Sequence, residues 1–356
     1  MTKGRVAFAV PGDLTTLTGG YIYDRRVMQE LRDLGWQVDH IALPGGFPDP
    51  STDEMAEALR LLRDLPPDCP VIVDGLALGA LTPAGVRDIR APVIALVHHP
   101  LAKESGLSPE RQKALFDSER ANLSGVAHVL VPSPHTAEIL TTKYGVPEDR
   151  IAIAKPGIDQ PKGQSQPVTP PLILSVGIQL PRKGHDVLLR ALGQITDLDW
   201  RAIIVGAALD ADFSDHLRTL LQSENLADRV TLAGQVAQEP LAALYQQASI
   251  FALATRYEGY GIVFDEALVH GLPIVTCDAG AVADTVPKGA GRLVPPDQPD
   301  AFAAALRGLL TDEKARAACA ATSAMIGKTR PGWRDTAVIF ANVLKQHFSE
   351  PRQVKA

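Results

Sequence analysis

Cysteine is scarce in this chain. Cys69, Cys277 and Cys319 are the only three among 356 residues, odd in number and far apart. That argues against a disulfide framework or a zinc site and for a reducing, cytoplasmic setting. Long apolar runs are missing as well: no stretch approaches the ~20 residues of a membrane span. The first apolar run, Val6 to Val10, is too short for a signal-peptide core and is stopped by Pro11-Gly12. No long basic run occurs and the net charge is −6, so nucleic acid is not an expected partner. The loop after the first strand lacks G-x-G-x-x-G, which disfavours a dinucleotide site there. What remains is an ordinary globular composition, 46% hydrophobic and 21% charged. The length suits about one to three domains and a substantial core.

Apolar strands alternate with helical patterns along the first half. Arg5–Val10 reads as a buried strand, followed by the turn-rich loop to Gly19-Gly20 and a helix from Tyr21 to Leu34 closed by Gly35. Strands are expected at Trp36–Leu43, Val71–Asp74, Val93–Val97 and Val129–Val131. Ser51 with Glu54 three residues on predicts a capped helix start. Ser108-Pro109 opens another helix with proline in its first turn, and Ser133 and Thr136 are cap candidates for the next. This alternation predicts an α/β fold with a doubly wound parallel sheet, whose ligands sit at the carboxyl ends of the strands.

Residues 160–171 hold four prolines and no apolar periodicity, the composition of an interdomain linker. A second alternation then begins, with strands expected at Leu172–Val176, Arg201–Val205, Val230–Leu232, Ile250–Leu253 and Ile274–Thr276. The predicted division is an N-terminal domain over 1–160, a linker over 161–171, a C-terminal domain over 172–332 and a final helical segment over 333–356. Trp333, Ile339, Phe340 and Leu344 supply that segment with an apolar face.

The most informative stretch is Glu258 to Glu266, Glu-Gly-Tyr-Gly-Ile-Val-Phe-Asp-Glu, between the Ile250 strand and a helix stopped by Gly271-Leu-Pro273. Gly259 and Gly261 let backbone approach a ligand. The amides at Tyr260 to Ile262, at a helix start, suit a phosphate. Glu258 and Glu266 are spaced so that both can face the same cleft, although a bare pair of charges on a helix is more often a solvated face. After the Leu172 strand comes Gly177-Ile-Gln-Leu-Pro-Arg182-Lys183-Gly184. A lysine at a helix start opposes the helix dipole unless an anion binds there, and Arg182 can fork two hydrogen bonds to phosphate. In the first half, Gly19-Gly20 and the strand-end pair His98-His99 occupy ligand-facing places. A histidine pair at a strand end is more often structural than catalytic. No third ligand stands beside it in sequence, so no metal is expected.

These motifs together resemble the family 4 glycosyltransferases of GT-B fold. The Glu-x7-Glu segment looks like that family's donor-binding signature. Lys183 matches its Gly-Arg-x-x-x-x-Lys-Gly pattern, but Ile178 stands where the family has arginine, leaving Arg182 to supply that charge from a neighbouring place. His98 aligns with the family's functional histidine, while His99 replaces the aspartate that follows it. Tyr144-Gly145-Val146 and Pro156-Gly157-Ile158-Asp159 follow in the family's order.

The resemblance implies two Rossmann-like domains facing across a cleft, with the last helix crossing back to the first domain and closure completing the site. It implies a retaining transfer of sugar from a nucleotide-diphosphate sugar to a hydroxyl acceptor (lipid, glycan or small metabolite), with no cofactor or metal. Lys183, Arg182, Glu258 and His98 take the catalytic roles. Gly19, Gly20, Gly177, Gly259, Tyr260, Gly261, Ile262 and Glu266 bind the donor, Glu266 at the ribose. A lipid acceptor implies a peripheral place at the inner membrane face, and Leu101–Leu107 with Phe116 are candidates for such a surface or equally for core. The departures at Ile178 and His99 keep open a catalytically weak binding subunit. A sugar-nucleotide epimerase on the same fold is a further alternative.

Overall fold

The computed structural model describes residues 4–104 and 106–347. The chain divides into two compact units: residues 1–157 with 331–356, and residues 158–330.

The first unit runs β1 (Arg5–Pro11), α1 (Gly19–Asp33), β2 (Gln37–Leu43), α2 (Thr52–Arg63), β3 (Val71–Asp74), α3 (Gly75–Leu78), α4 (Pro83–Arg87), β4 (Val93–Leu96), α5 (Pro109–Gly125), β5 (His128–Val131), α6 (Pro134–Thr142) and β6 (Ile151–Ile153). Its six strands form one parallel sheet in the order β2-β1-β3-β4-β5-β6. The central strands β3, β4 and β5 are buried at every position, as expected of a sheet covered by helices on both faces. The local signals behave as their chemistry dictates. Ser51 and Glu54 close a full capping box on α2, and Ser108 and Ser133 cap α5 and α6 ahead of a first-turn proline. The sequence pattern missed β6 and the short α3 and α4, each too brief to show a period.

The second unit runs β7 (Leu172–Val176), α7 (His185–Gly193), β8 (Arg201–Val205), α8 (Ala211–Ser223), β9 (Val230–Gly234), α9 (Gln238–Gln247), β10 (Ile250–Leu253), α10 (Ile262–Val269), β11 (Ile274–Cys277), α11 (Val282–Thr285), β12 (Gly291–Val294), α12 (Pro299–Thr311) and α13 (Glu313–Gly327). The sheet is again parallel, in the order β12-β11-β10-β7-β8-β9. β12 was not legible in sequence, having no fully buried position. The proline-rich segment lies along the end of α9: Gln166 N donates to Gln246 O and Val168 N to Gln247 O. Cys277 is fully buried, and burial pushes its thiol up to about 12, so it is inert at neutral pH.

The last helix, α14 (Trp333–His347), belongs to the first unit and packs on α1. Trp333 and Phe340 meet Tyr23 at ring distances of 5.8 and 6.0 Å. Arg26 lies over the Trp333 ring at 5.4 Å, and Thr336 donates to Lys155 O at 2.7 Å. Leu101 and Ala102 are buried, and Phe116 packs against the core beside Tyr144. Core packing, the second of the two alternatives, therefore describes these three residues. No helix among the described residues is long and apolar enough to cross a membrane.

Candidate active site

Both sheets reverse their strand order once, between β1 and β3 and between β7 and β10. At such a reversal neighbouring loops diverge and leave a crevice at the strands' carboxyl ends. The residues singled out in sequence gather at these two places.

In the second unit, Gly177 follows β7 directly and lies against the Lys183 side chain. Arg182 and Lys183 form a single 3₁₀ turn before α7. Glu258, in the loop after β10, is 4% exposed and lies beneath both cations. Lys183 Nζ donates to its Oε1 at 2.6 Å, Thr255 Oγ1 donates to the same oxygen at 3.0 Å, and Arg182 lies 3.7 Å from Oε2. Burial works against the Glu258 charge, but Lys183 and Arg182 outweigh it and hold the carboxyl below the ordinary range. The trio carries two positive charges and one negative. This modifies the simple expectation of two cations waiting for phosphate and a carboxylate waiting for sugar: the three are paired with one another, leaving a net charge of one.

The turn that follows is held from several sides. Gly261 caps α10 at φ +87°, where a side chain would be strained. Gly280 lies so close under the loop that a Cβ there would come within 2.3 Å of Glu258 O. Tyr260 is buried, and its hydroxyl donates to Asp265 at 2.5 Å. Asp265 is 1% exposed and faces Arg330, whose Nε lies 2.7 Å from Oδ1 at an angle outside that of a hydrogen bond. Arg330 also donates to Thr285 O, and Thr285 Oγ1 donates to Tyr260 O at 2.8 Å. Glu266, one turn into α10, accepts from Tyr245 at 2.6 Å. Burial raises its carboxyl, and the tyrosine hydrogen bond pulls it back.

Sequence inspection missed Thr255, Tyr245, Asp265 and Arg330. It also missed Arg256, which grips Asp186 with two hydrogen bonds of 2.9 and 2.8 Å, bonds Asp297 and reaches Pro181 O behind the cationic turn. A charged residue inside the apolar run of α10 was the one available signal for Asp265. His185, fully buried and pushed down to about 4 by that burial, donates from Nε2 to Gly177 O at 3.0 Å and pins the same loop.

In the first unit, His98 follows β4, and Gly19-Gly20 open α1. A Cβ on Gly20 would touch the His98 ring at 3.5 Å, so those two predicted positions are neighbours. The sequence shows no third group beside the histidines, but the fold brings two. Asp24 of α1 lies 3.1 Å and Asp74 at the end of β3 lies 3.3 Å from His98 Nε2. The three ligand-type atoms lie within 4.8 Å of one another. Asp74 is 24 and Asp24 is 74 residues from His98, which is why local spacing could not reveal them. Burial opposes charge on His98, but the two carboxylates win and push it up to about 10. His99 is turned to Glu104 instead, at 3.0 Å.

Two descriptions of known families meet end to end on this chain: "Glycosyltransferase Family 4" over residues 36–160 and "Glycosyl transferases group 1" over residues 158–324. The chain belongs to glycosyltransferase family 4. Family members similar to it include a D-inositol 3-phosphate glycosyltransferase of Paenarthrobacter aurescens, 30% identical over 271 residues, or 69% of this chain and 65% of that protein. The chain thus spans a little under two thirds of that relative's length. Among solved structures, a sucrose-phosphate synthase from Thermosynechococcus elongatus superposes with a TM-score of 0.83 at 22% identity, over 97% of this chain and 99% of the other. Anabaena Alr3699/HepE, in complex with UDP-glucose, gives 0.79 at 18% identity, over 96% and 99%. The fold is GT-B.

Proposed function

We propose that the chain is a retaining glycosyltransferase that moves a sugar from a nucleotide-diphosphate sugar to a hydroxyl acceptor. The observation that carries this is the Arg182–Lys183–Glu258 group at the carboxyl ends of β7 and β10. It is a nearly buried, net positive cluster beside the Gly261 turn that starts α10. The hard step is breakage of the bond from the anomeric carbon to the diphosphate while the acceptor oxygen bonds that carbon. Negative charge then accumulates on the diphosphate, and preorganised cations and amides stabilise it more than water can. Lys183, Arg182 and the Tyr260–Ile262 amides supply that charge from the protein itself, without calling on a metal ion. Glu258, already ionised, faces the positive character that develops on the sugar. Glu266, steadied by Tyr245, accepts from the ribose hydroxyls, and the family resemblance assigns His98 to the sugar. A nucleotide-sugar donor is further supported by the UDP-glucose complex of Alr3699/HepE.

Lys183→Ala and Glu266→Ala test these roles against a panel of nucleotide sugars. Lys183→Ala is expected to lower kcat by at least about a hundredfold. Glu266→Ala is expected to raise the donor KM. Near wild-type turnover in both variants overturns the assignment. A second possibility, a catalytically weak subunit that binds nucleotide or sugar, is favoured by one observation: both Glu258 oxygens already face protein cations. Saturable donor binding without turnover across the panel would establish it.

A further inference from the structure

We infer that Asp24 and Asp74 are positioning residues for His98: two carboxylates on one ring nitrogen fix the imidazole plane and keep the ring a cation, leaving Nδ1 as the nitrogen that meets a substrate oxygen. The inference rests on the function proposed above for what His98 does, but not for how His98 is held.

Three separate elements converge to build this arrangement. Asp24 comes from α1, Asp74 closes β3, and His98 follows β4, with Nε2 at 3.1 and 3.3 Å from the two acids. The acids are covered, with 1% and 7% of their side chains exposed, whereas the His98 side chain is 22% exposed. The cation is therefore the member of the trio that reaches the surface most, and its counter-charges lie beneath it. The groups packed around the ring keep that polarity. Tyr23 meets it edge-on at 5.2 Å. Tyr21, pushed up by burial and by Asp74, Asp24 and Asp13, stays protonated and donates to Pro11 O at 2.8 Å. His99 is occupied by Glu104.

A purely structural role accounts poorly for this choice of residues. Asp74 already has one, because its Oδ1 caps α3 through Leu76 N at 2.8 Å. Asp24 is different: its Oδ2 is buried and makes no hydrogen bond, and burial together with the neighbouring Asp74 pushes its carboxyl up to about 6 against the pull of His98. An unmet buried acceptor costs stability, and apolar packing of the same volume commonly does as well as a buried ion pair. A second buried acid beside His98 is explained if its charge is needed to hold the ring protonated where neutral imidazole would otherwise prevail. An imidazolium donates from both nitrogens. With Nε2–H directed to the acids, Nδ1–H is a fixed donor for a hydroxyl or phosphate oxygen, and it is not a base.

The test uses the full-length protein labelled with 15N-histidine, the His98 signals being assigned by their loss in His98→Gln. Both nitrogens of His98 are expected to stay protonated from pH 6 to about 9. In Asp24→Asn and in Asp74→Asn, each checked for folding by its thermal melt, the ring is expected to titrate at least about one pH unit lower. The alkaline limb of their kcat profile is expected to move down by the same unit or more, with the donor KM little changed and kcat near the wild-type value recovered as the pH is lowered. A neutral His98 ring in the wild type at pH 7 overturns the inference, as does an unchanged pH profile in both variants. So does stoichiometric binding of Zn2+ with loss of the Nε2 proton, which makes the acids metal ligands. If the wild type turns over no nucleotide sugar at all, the function proposed above fails, and the NMR titration still decides how His98 is held.

Discussion

Glu266 shows how one side chain's role depends on a partner the sequence does not announce. Burial alone would push its carboxyl toward neutrality, and a neutral acid would serve poorly in the ribose-binding role proposed above. The Tyr245 hydroxyl, 2.6 Å away, favours the charged form. Tyr245 is itself fixed by stacking on His270, at a ring distance of 5.0 Å. Removing only that hydroxyl, in Tyr245→Phe, lets the Glu266 pKa rise further. A carboxylate whose pKa rises is lost at a higher pH on acidification. The acid limb of kcat/KM should therefore move upward in pH, and the donor KM should rise about tenfold or more, the worth of one hydrogen bond to a charged group. Steady-state kinetics between pH 5 and 8 with a turned-over nucleotide sugar check both. An unmoved acid limb would remove Tyr245 from the site.

The turn and first half of α10 form one mechanical piece, from Glu258 to Glu266. Tyr260 and Asp265 join it to Arg330, the last residue of the second unit, and Thr285 ties it to α11. Asp265 is almost fully buried, so its charge depends on the guanidinium. Arg330→Met is expected to destabilise the second unit by about 3–5 kcal/mol, because the buried Asp265 carboxylate loses the guanidinium that faces it. Arg330→Met combined with Asp265→Leu is expected to recover most of that loss, because nothing charged is then left behind. Urea unfolding of the two variants measures the difference. Equal losses in single and double variants would show that the residues do not act as a pair. Sequence inspection located this piece correctly but not its support, since Arg330 is 65 residues from Asp265 and no local rule connects them.

For the molecule as a whole, the pH dependence of stability has an identifiable contributor in the first unit. Glu119 is 1% exposed and accepts from Leu101 N, and burial pushes it up to about 8. Its value in an unfolded chain is about 4.3. Between those two values the folded state holds a proton that the unfolded state has lost. This contribution to stability is thus fully present below about pH 4 and is lost as pH rises toward 8. Glu119→Gln keeps the acceptor and cannot ionise. Its melting temperature should exceed the wild type's at pH 8 by about 2 °C or more, with the advantage shrinking toward pH 5. Calorimetry at the two pH values checks this, and an advantage independent of pH would exclude titration of Glu119 as the cause.

Most of the architecture was legible because its causes are local. Apolar runs of four to seven residues mark the strands, and serine caps with first-turn prolines mark the helix starts. The glycines at Gly177, Gly259 and Gly261 mark the loops that leave β7 and β10. Each of these depends on residues a few positions apart, where chain connectivity already fixes the distance. The ion pairing of Lys183 with Glu258, the two acids on His98, the tyrosine on Glu266 and the Asp265–Arg330 contact are different in kind. In each case partners 20 to 75 residues apart meet because adjacent parallel strands bring their carboxyl ends together or because helices pack behind them. The amino-acid order therefore determined the strands, the helix starts and the loops at which the candidate residues stand. Tertiary packing alone decided which charges are neutralised, which remain, and which side chains are held still, because burial and proximity exist only once the sheets have formed.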